Sequence, residues 1–353
     1  MHKTLGIAGM LTLALFVACG SDASNEDMQQ PLSDAGDESD RRPDDRADAD
    51  GQPDAAALPD DGGAVTRGFQ IKSKSVVIEP SQEITYCFRF MTPNTETLPI
   101  KKWKSVMTPG VRFMMLFVGG ERGGSDSLSA SCPDFKNASA SNPPVWAYSS
   151  YDAESELVFP SDDGTGKPLG FELPAEKDSY MMIHHVNTTT QPLTAYVMLS
   201  AEALPEGAEY TKTSTFLAYN AALAIPGSST NHVESRACDT LPDTKFWSMG
   251  MHAHKQATKL TAKNGTSAGG SVAYETSDWS NPLQKTWASN PFYAFDQGKL
   301  SFECTYTNPT NRTIRAGNSF STDEMCMVTG YYFPATNPAL CFCPEGLPGC
   351  VNL

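Results

Sequence analysis

The chain is organised around the run Gly317-Asn-Ser-Phe-Ser-Thr-Asp-Glu-Met325-Cys326-Met-Val-Thr-Gly-Tyr331-Tyr332-Phe-Pro334, and its counterpart upstream is Gly250-Met251-His252-Ala253-His254. In a β-strand, residues i and i+2 point to the same face, so His252 and His254 can present two imidazoles to one metal ion. Met325 can add a thioether. Two imidazoles and a soft sulfur suit copper, which cycles between Cu(II) and Cu(I). The sequence therefore predicts a copper site at these three residues.

The same two runs resemble a known family. Thr322-Asp-Glu-Met-Cys326 followed by Tyr331-Tyr332, with a His-x-His before it, resembles the copper type II, ascorbate-dependent monooxygenases. This is the family of peptidylglycine α-hydroxylating and dopamine β-monooxygenases. The resemblance spans residues 66–353 and implies two tandem jelly-roll domains. It also implies that the two histidines and Met325 hold the oxygen-activating copper, with ascorbate or another external reductant supplying electrons.

From residue 66 onward the chain has the texture of a β protein. Short segments rich in β-branched and aromatic residues are separated by Gly, Pro, Ser and Asn turns, and no long amphipathic helix or internal repeat is visible. This pattern predicts an all-β fold of two tandem antiparallel β-sandwich, or jelly-roll, domains after a disordered acidic linker. Strands are predicted at 75–78, 84–90, 111–118, 180–186 and 194–200.

We divide the chain into four segments. These are a lipoprotein signal peptide at 1–19, a disordered acidic linker at 20–65, an N-terminal monooxygenase-like β-sandwich at 66–205 and a C-terminal copper-binding β-sandwich at 206–353. Residues 20–64 contain fourteen Asp or Glu, three Arg and almost no large apolar residues. Such a stretch cannot bury a core, and its self-repelling charge extends it.

The N-terminus predicts export. The charged start Met1-His-Lys3 precedes an apolar run that is too short to span a bilayer but is typical of a signal peptide. Phe16-Val-Ala-Cys19 resembles a bacterial lipobox, in which Cys19 becomes the lipidated first residue; an ordinary secretory signal is the alternative. We expect an exported protein, lipid-anchored in the bacterial cell envelope at the outer membrane. No basic cluster suggests a nucleic-acid partner.

Eight of the nine cysteines lie beyond Cys19, and an even count in an oxidising compartment predicts disulfides. The family resemblance implies specific pairs and leaves the partner of Cys350 open. A bridge at Cys326 would hold the neighbouring Met325 in place, whereas a free thiolate there would compete for copper. The implied pairs are Cys87–Cys132, Cys304–Cys326, and Cys238 with either Cys341 or Cys343.

The predicted N-terminal sandwich departs from the family. The resemblance implies an electron-transfer copper there, held by an adjacent His-His pair on one strand and a third histidine on another. Arg112 and Phe113 occupy the positions of the pair, and neither can ligate copper. His184, or His185 by a one-residue slip, matches the third histidine. At most a degenerate second copper site is expected there, the alternative being an ordinary strand pair, so we predict one copper per chain.

The predicted C-terminal sandwich also departs from the peptidylglycine branch. That branch has an Arg two residues before the first histidine and a Tyr four residues after the methionine, where this chain has Gly250 and Thr329. Without the guanidinium fork there is no bidentate clamp for a carboxylate. This disfavours a peptide ending in glycine as substrate. The substrate, small molecule or peptide, and the catalytic residues stay open.

Three functions compete on this sequence. The first is a copper-dependent monooxygenase that hydroxylates an activated C–H bond with O₂ and an external reductant at the single His-His-Met copper. The second is a non-catalytic copper-binding lipoprotein for storage, buffering or delivery. The third is a surface interaction module in which copper is structural.

Overall fold

The computed structural model describes residues 67–120, 126–133, 144–347 and 349–352. All of them belong to one compact unit, Ala57–Leu353. The described residues form strands, turns and loops and no helix, so the fold is all-β as predicted. Among them, nothing helical has the length and apolarity needed to cross a membrane. The expected signal peptide at 1–19, the lipidation site Cys19 and the linker at 20–65 lie outside the described residues.

A five-stranded antiparallel sheet carries His184 and His185 on its central strand. Its side strands place Cys87 and Phe113 in the same sheet. The strands predicted at 84–90, 111–118 and 180–186 are confirmed. In spatial order the sheet contains β6 (Ser127–Ser129), β3 (Glu83–Met91), β10 (Asp178–Val186), β5 (Val111–Val118) and β7 (Val145–Ser150).

A sheet of eleven strands joins the N-terminal and C-terminal segments. Its main path is β1 (Gly68–Lys72), β12 (Val197–Ala203), β4 (Leu98–Met107), β9 (Leu169–Leu173), β13 (Thr211–Asn220), β22 (Met327–Phe333), β16 (Lys245–His252) and β19 (Lys285–Thr286). Beside this path lie β8 (Glu154–Val158), β23 (Ala339–Cys343) and β24 (Val351–Asn352).

Strand β13 makes the two parallel pairings of this sheet, with β9 and with β23. The sequence predicted antiparallel sandwiches, and these pairings differ because their strands are connected by long crossovers rather than hairpins. Through the pair β9–β13, strands on either side of residue 205 bond directly to each other. The domain boundary there stays a prediction.

The remaining strands complete the C-terminal segment and two short ribbons. The four-stranded antiparallel sheet is β15 (Ser229–Asp239), β20 (Lys299–Asn308), β17 (Ala257–Asn264) and β18 (Ser271–Thr276). The ribbons are β2 (Val76–Ile78) with β11 (Leu193–Ala195), and β14 (Ala224–Ile225) with β21 (Ile314–Arg315).

An aromatic cluster packs both segments into one core. Tyr331, from the run that organises the sequence, is fully buried and accepts a 3.1 Å hydrogen bond from the Trp103 indole. Its ring stacks on Trp247 at 4.9 Å, and Phe159 contacts both rings at 5.0 and 4.7 Å. Burial of such large side chains is a main source of folding free energy, so the C-terminal strands depend on N-terminal residues for their packing.

The structure contains four disulfides among the described cysteines. Cys238 pairs with Cys341, one of the two partners that the resemblance left open. The tail is closed by Cys343–Cys350, which the sequence left unresolved. The other two bridges are those that the resemblance implies, Cys87–Cys132 and Cys304–Cys326.

Candidate metal centre

His252 and His254 lie together at the end of β16. His252 is the last residue of this strand and stands opposite Met327 of β22 in the antiparallel register. His254 follows two residues later. Each is 2% exposed, and the two ring centroids are 5.4 Å apart with the ring planes at 76°. The i, i+2 spacing thus brings two imidazoles into one buried place, as predicted.

A hydrogen bond fixes each imidazole through its Nδ1 atom. His254 Nδ1 donates to the main-chain oxygen of Asp323 at 2.9 Å, so the Nε2 atom of His254 carries the lone pair. His252 Nδ1 and the Tyr151 hydroxyl share a hydrogen bond of 3.0 Å. Metal-binding histidines are usually oriented in this way through the nitrogen that does not bind the metal. The Nε2 atom of His254 is thus left to bind a ligand, and that of His252 is left in the tautomer whose Nδ1 donates to Tyr151.

Glu324 ties the histidine turn to the run that contains Met325. Its carboxylate is fully buried and accepts backbone N–H bonds from His254 at 2.8 Å, Gln256 at 2.7 Å and Met325 at 3.2 Å. Burial raises the pKa of Glu324 to about 7, although these three N–H groups act in the opposite direction. One side chain therefore sets the spacing between His254 and Met325.

A hydrogen bond and a neighbouring disulfide also fix the backbone of Met325. Its main-chain oxygen accepts a 2.7 Å bond from the Tyr306 hydroxyl, and the adjacent Cys326 is bridged to Cys304 on β20. The side chain is 2% exposed. Because its backbone also bonds to Glu324, the methionine is confined beside the histidine turn.

The electrostatics of the histidine pair suit a metal ion. Burial lowers the pKa of His252 well below its usual value, and the neighbouring His254 and His184 lower it further. Burial also lowers the pKa of His254 to about 4. Both imidazoles are therefore neutral at pH 7, the form that binds metals. Two neutral imidazoles, with the thioether of the buried Met325 as the third candidate ligand, are a donor set that fits copper in both oxidation states.

The expected degenerate site in the N-terminal segment contains an aromatic ring where a second ligand is needed. Phe113 stands opposite His184 in the register of β5 and β10, with the ring centroids 5.0 Å apart. His184 Nε2 lies 3.2 Å from Glu83 Oε1. His185 packs edge-on against Tyr86 at 5.9 Å. Among the described residues, neither the Nδ1 atom of His184 nor that of His185 has a hydrogen-bond partner.

His184 lies near the candidate metal centre but is separated from it by aromatic rings. The Phe320 ring is 4.2 Å from the ring of His184 and 4.7 Å from that of His254. Phe113 bridges His184 and His252 in the same way, at 5.0 and 5.4 Å. In the part of the chain that the structure describes, the one cluster of three Cys, His, Asp or Glu ligand atoms is Cys238, Cys341 and Cys350, whose sulfurs are in disulfides.

A polar cavity of about 290 Å³ is lined by Tyr151, whose hydroxyl bonds to His252, and by Met251, the neighbour of His252 on β16. Gly250 and Thr329, which stand opposite each other on β16 and β22, form part of its wall. Gly250 and His252 are i and i+2 on one strand, so they share a face of the sheet. The charged residues that line the cavity are both acidic, Asp152 and Glu156. A carboxylate ligand therefore finds no cationic partner among the described lining residues.

Three residues of this centre were not assigned a role from the sequence. Tyr151 is far from His252 along the chain, and no motif marks it. Phe320 and Glu324 lie inside the run that carries the family resemblance. The signal in the sequence was the acidic residue Glu324 directly before the proposed sulfur ligand Met325.

Comparison with protein families identifies the C-terminal segment. Residues 213–346 match the copper type II ascorbate-dependent monooxygenase C-terminal domain. This segment, which contains all three predicted ligands, is similar to that domain, and the match supports the copper type II, ascorbate-dependent monooxygenase family. The match begins within β13 and leaves the five-stranded sheet outside it.

Comparisons with curated protein sequences and with solved structures give no further information on the function of this chain. No curated protein sequence matches the chain. Among solved structures, the PBSX exported protein XepA is 9% identical, with 74% of this chain and 86% of that chain covered and a TM-score of 0.19. The structure of broad bean stain virus is 10% identical, with 87% of this chain and 98% of that chain covered and a TM-score of 0.26. At these TM-scores the likeness bears on neither fold nor function.

Proposed function

We propose that the chain is a copper-dependent monooxygenase-like protein with a single His-His-Met copper at His252, His254 and Met325. The observation that carries this proposal is the buried imidazole pair, in which both Nδ1 atoms are engaged, so that Nε2 of His254, and of His252 in its Nδ1-donating tautomer, is left for a ligand. The match of residues 213–346 to the C-terminal domain of the monooxygenase family supports it.

Bound copper would supply O₂ activation for hydroxylation of an activated C–H bond, with ascorbate or another reductant as the electron source. The chain's own residues orient the ligands and exclude water. Tyr151 and the Asp323 carbonyl hold the two rings, while Phe113 and Phe320 cover them with apolar surface. A low-polarity surrounding strengthens the electrostatic interactions inside the site.

The cavity lined by Tyr151 and Met251 is the candidate substrate site. Its wall contains Gly250 and Thr329, and its charged members Asp152 and Glu156 are acidic. This charge supports a neutral or amine-bearing substrate rather than a carboxylate. The same observation agrees with the absence of the arginine that clamps a peptide carboxylate in the peptidylglycine branch.

The test is a copper titration of the exported protein together with three variants. His252→Ala and His254→Ala should each abolish tight binding, and Met325→Leu should weaken Cu(I) far more than Cu(II), because sulfur favours the reduced ion. His232→Ala is the matched control, since this histidine bonds Glu234 away from the centre. Wild-type Cu(I) affinity in Met325→Leu would remove the thioether from the proposed site.

A non-catalytic role in copper storage, buffering or delivery is the second candidate. The observation that favours it is Phe113, whose ring occupies the place next to His184 where an electron-transfer copper would need an imidazole. The two candidate functions can be separated by measuring oxygen consumption. The copper-loaded protein is incubated with ascorbate and a panel of amines. Substrate-dependent turnover supports the enzyme, and tight copper binding without turnover supports storage or delivery.

We also propose that the protein is exported and lipid-anchored through Cys19 at the outer membrane, as the lipobox resemblance implies. Labelling with a fatty-acid analogue in a bacterial host should mark the wild-type chain and not Cys19→Ser. A soluble, unlabelled wild-type protein would favour the ordinary secretory signal.

A further inference from the structure

A cavity of about 580 Å³ lies where strands of the N-terminal and C-terminal segments meet. Strands β5 and β7 of the five-stranded sheet contribute Val118 and Val145 to its wall. Strands β9 and β13 of the eleven-stranded sheet contribute Phe171 and Leu217. Residues 336–340, at and before the start of β23, form a further side. Cavities of this size at the junction of two structural segments are common binding places for small molecules.

This cavity is separate from the candidate metal centre. On β5, the ring of Phe113 contacts that of His252, whereas Val118 lines the cavity. Five residues of a strand, at about 3.3 Å each, place these two positions of β5 about 17 Å apart. The cavity also shares no lining residue with the candidate substrate site at Tyr151 and Met251. A ligand in the cavity would therefore touch neither the candidate copper ligands nor the substrate.

Apolar side chains form much of the cavity wall. Trp146, Phe171 and Leu217 belong to the hydrophobic core, and Leu340 is partly buried against that core. Val145, at the start of β7, is also half-buried. A wall of this kind favours a ligand with an apolar body, because each methylene that it removes from water adds to the free energy of binding.

The charged residues that line the cavity are two lysines and one glutamate. The carboxylate of Glu172 is already engaged, since it pairs with Lys212 at 2.8 Å and accepts a 3.1 Å hydrogen bond from the Tyr210 hydroxyl. Lys177 forms no ion pair with any residue that the structure describes. The described lining therefore carries a net positive charge, which attracts an anionic group.

We propose that this cavity binds a small apolar carboxylic acid of the medium-chain fatty acid type. Its carboxylate would lie at Lys177 and Lys212, and its hydrocarbon chain would lie against the apolar wall. An amine of the same shape would meet the net positive charge, and a neutral apolar molecule would leave Lys177 without a counter-charge. The ligand would contact β9 and β13 at once and so bridge their parallel pair. The inference goes beyond the proposed copper chemistry and does not depend on it.

The experiment is a calorimetric titration of octanoate into the metal-free full chain. The wild-type protein should bind octanoate saturably at one site. Hexanoate should bind about tenfold more weakly, because it buries two methylenes fewer. Octylamine has the same hydrocarbon chain with the opposite charge and should bind weaker by about tenfold or more.

Three variants test the location of the site. Lys177→Gln should weaken octanoate binding by about threefold, the usual effect of removing a partly exposed ion pair. Lys212→Gln should weaken it by about tenfold, because this change also leaves the charge of the neighbouring glutamate unopposed. Thr336→Trp, at an exposed position of the wall, should fill the cavity while the fold is retained. Lys167→Gln is the matched control, because this lysine pairs with Glu209 and does not line the cavity.

A wild-type protein that does not bind octanoate would overturn the assignment, as would equal affinity in the wild type, Lys212→Gln and Thr336→Trp. Equal affinity for octanoate and octylamine would overturn the carboxylate as the recognised group. An equal loss of affinity in Lys167→Gln and Lys177→Gln would show a general effect of charge rather than a site. Copper binding should be unchanged in all four variants, so failure of this proposal and failure of the proposed function give different results.

Discussion

At the scale of single residues, side chains from distant parts of the sequence set the orientation of the candidate ligands. His252, His254 and Met325 could be predicted as ligands from the sequence alone. The i, i+2 spacing of the histidines is a local pattern, and the preference of copper for a soft sulfur is a chemical property of the side chain. The role of Tyr151 could not be predicted from the sequence, since a hydrogen bond between residues in separate segments leaves no pattern along the chain. Glu324 was visible beside Met325, but only the fold shows its carboxylate bonding to the histidine turn.

Tyr151→Phe should lower copper affinity by about 10- to 100-fold, the usual effect of removing an outer partner of a metal ligand. The reason is that His252 loses the hydrogen bond that fixes its ring. Competition titration with a chelator measures the change. Tyr210→Phe is the matched control, because this hydroxyl bonds the carboxylate of Glu172 on β9 rather than a residue of the centre. Equal affinities in the two variants would show that Tyr151 does not position His252.

At the scale of elements, the strands were predictable and their partners were not. The segments at 84–90, 111–118 and 180–186 were identified because β-branched and aromatic runs between turns are local signals. Pairing of β9 with β13 in parallel joins residues that are distant in sequence, and periodicity contains no information about it. The same holds for Phe113 and Phe320, which cover the histidines only through the packing of two segments.

The bridge Cys304–Cys326 should hold Met325 more than it holds the rest of the fold. It closes a loop with a sequence separation of 22, for which about 3 kcal/mol of stabilisation is usual. The double variant Cys304→Ala, Cys326→Ala should therefore lose Cu(I) affinity and exchange backbone hydrogens faster around 317–326. Removal of Cys343 and Cys350 is the control, because that bridge closes a short loop in the tail. A free Cys326 in the exported protein, found by mass spectrometry, would contradict this expectation.

Asp163 should stabilise the junction of β9 and β13 in a pH-dependent way. It accepts a hydrogen bond from Thr211 at the start of β13, and this bond with those from Thr165 lowers its pKa to about 2, although partial burial acts in the opposite direction. The stabilisation is therefore complete above the unfolded pKa of about 3.8 and is lost as the pH falls through about 2.

Asp163→Asn should lower the free energy of unfolding at pH 7 by about 1 kcal/mol, a value reduced for solvent screening. Below pH 4 the difference from the wild type should shrink, and urea unfolding at several pH values measures it. Asp162→Asn is the control, because its carboxylate bonds to Gly164 and Gly166 of its own loop. A difference that grows towards low pH would have the wrong sign for this explanation.

At the scale of the whole molecule, the C-terminal segment carries the candidate copper ligands, whereas the N-terminal segment lacks most of the ligands that a second copper would need. The C-terminal segment matches the C-terminal domain of the monooxygenase family and contains the buried histidine pair. The N-terminal segment lacks the adjacent histidines that the resemblance implies for electron transfer, and Phe113 fills their place beside His184. The shared aromatic core around Tyr331 nevertheless makes the segments one unit, so loss of a metal site does not make the N-terminal strands dispensable.

Metal analysis of the purified, signal-free protein should therefore return one copper per chain. Arg112 and Phe113 cannot ligate copper, and the fixed positive charge of Arg112 opposes a cation nearby. A lone imidazole from His184, bonded to Glu83, does not hold copper against water. His184→Ala should leave the stoichiometry at one, whereas His252→Ala should reduce it towards zero. Two coppers per chain, with one lost on mutation of His184 or His185, would restore the two-copper chemistry that the resemblance implies for the family.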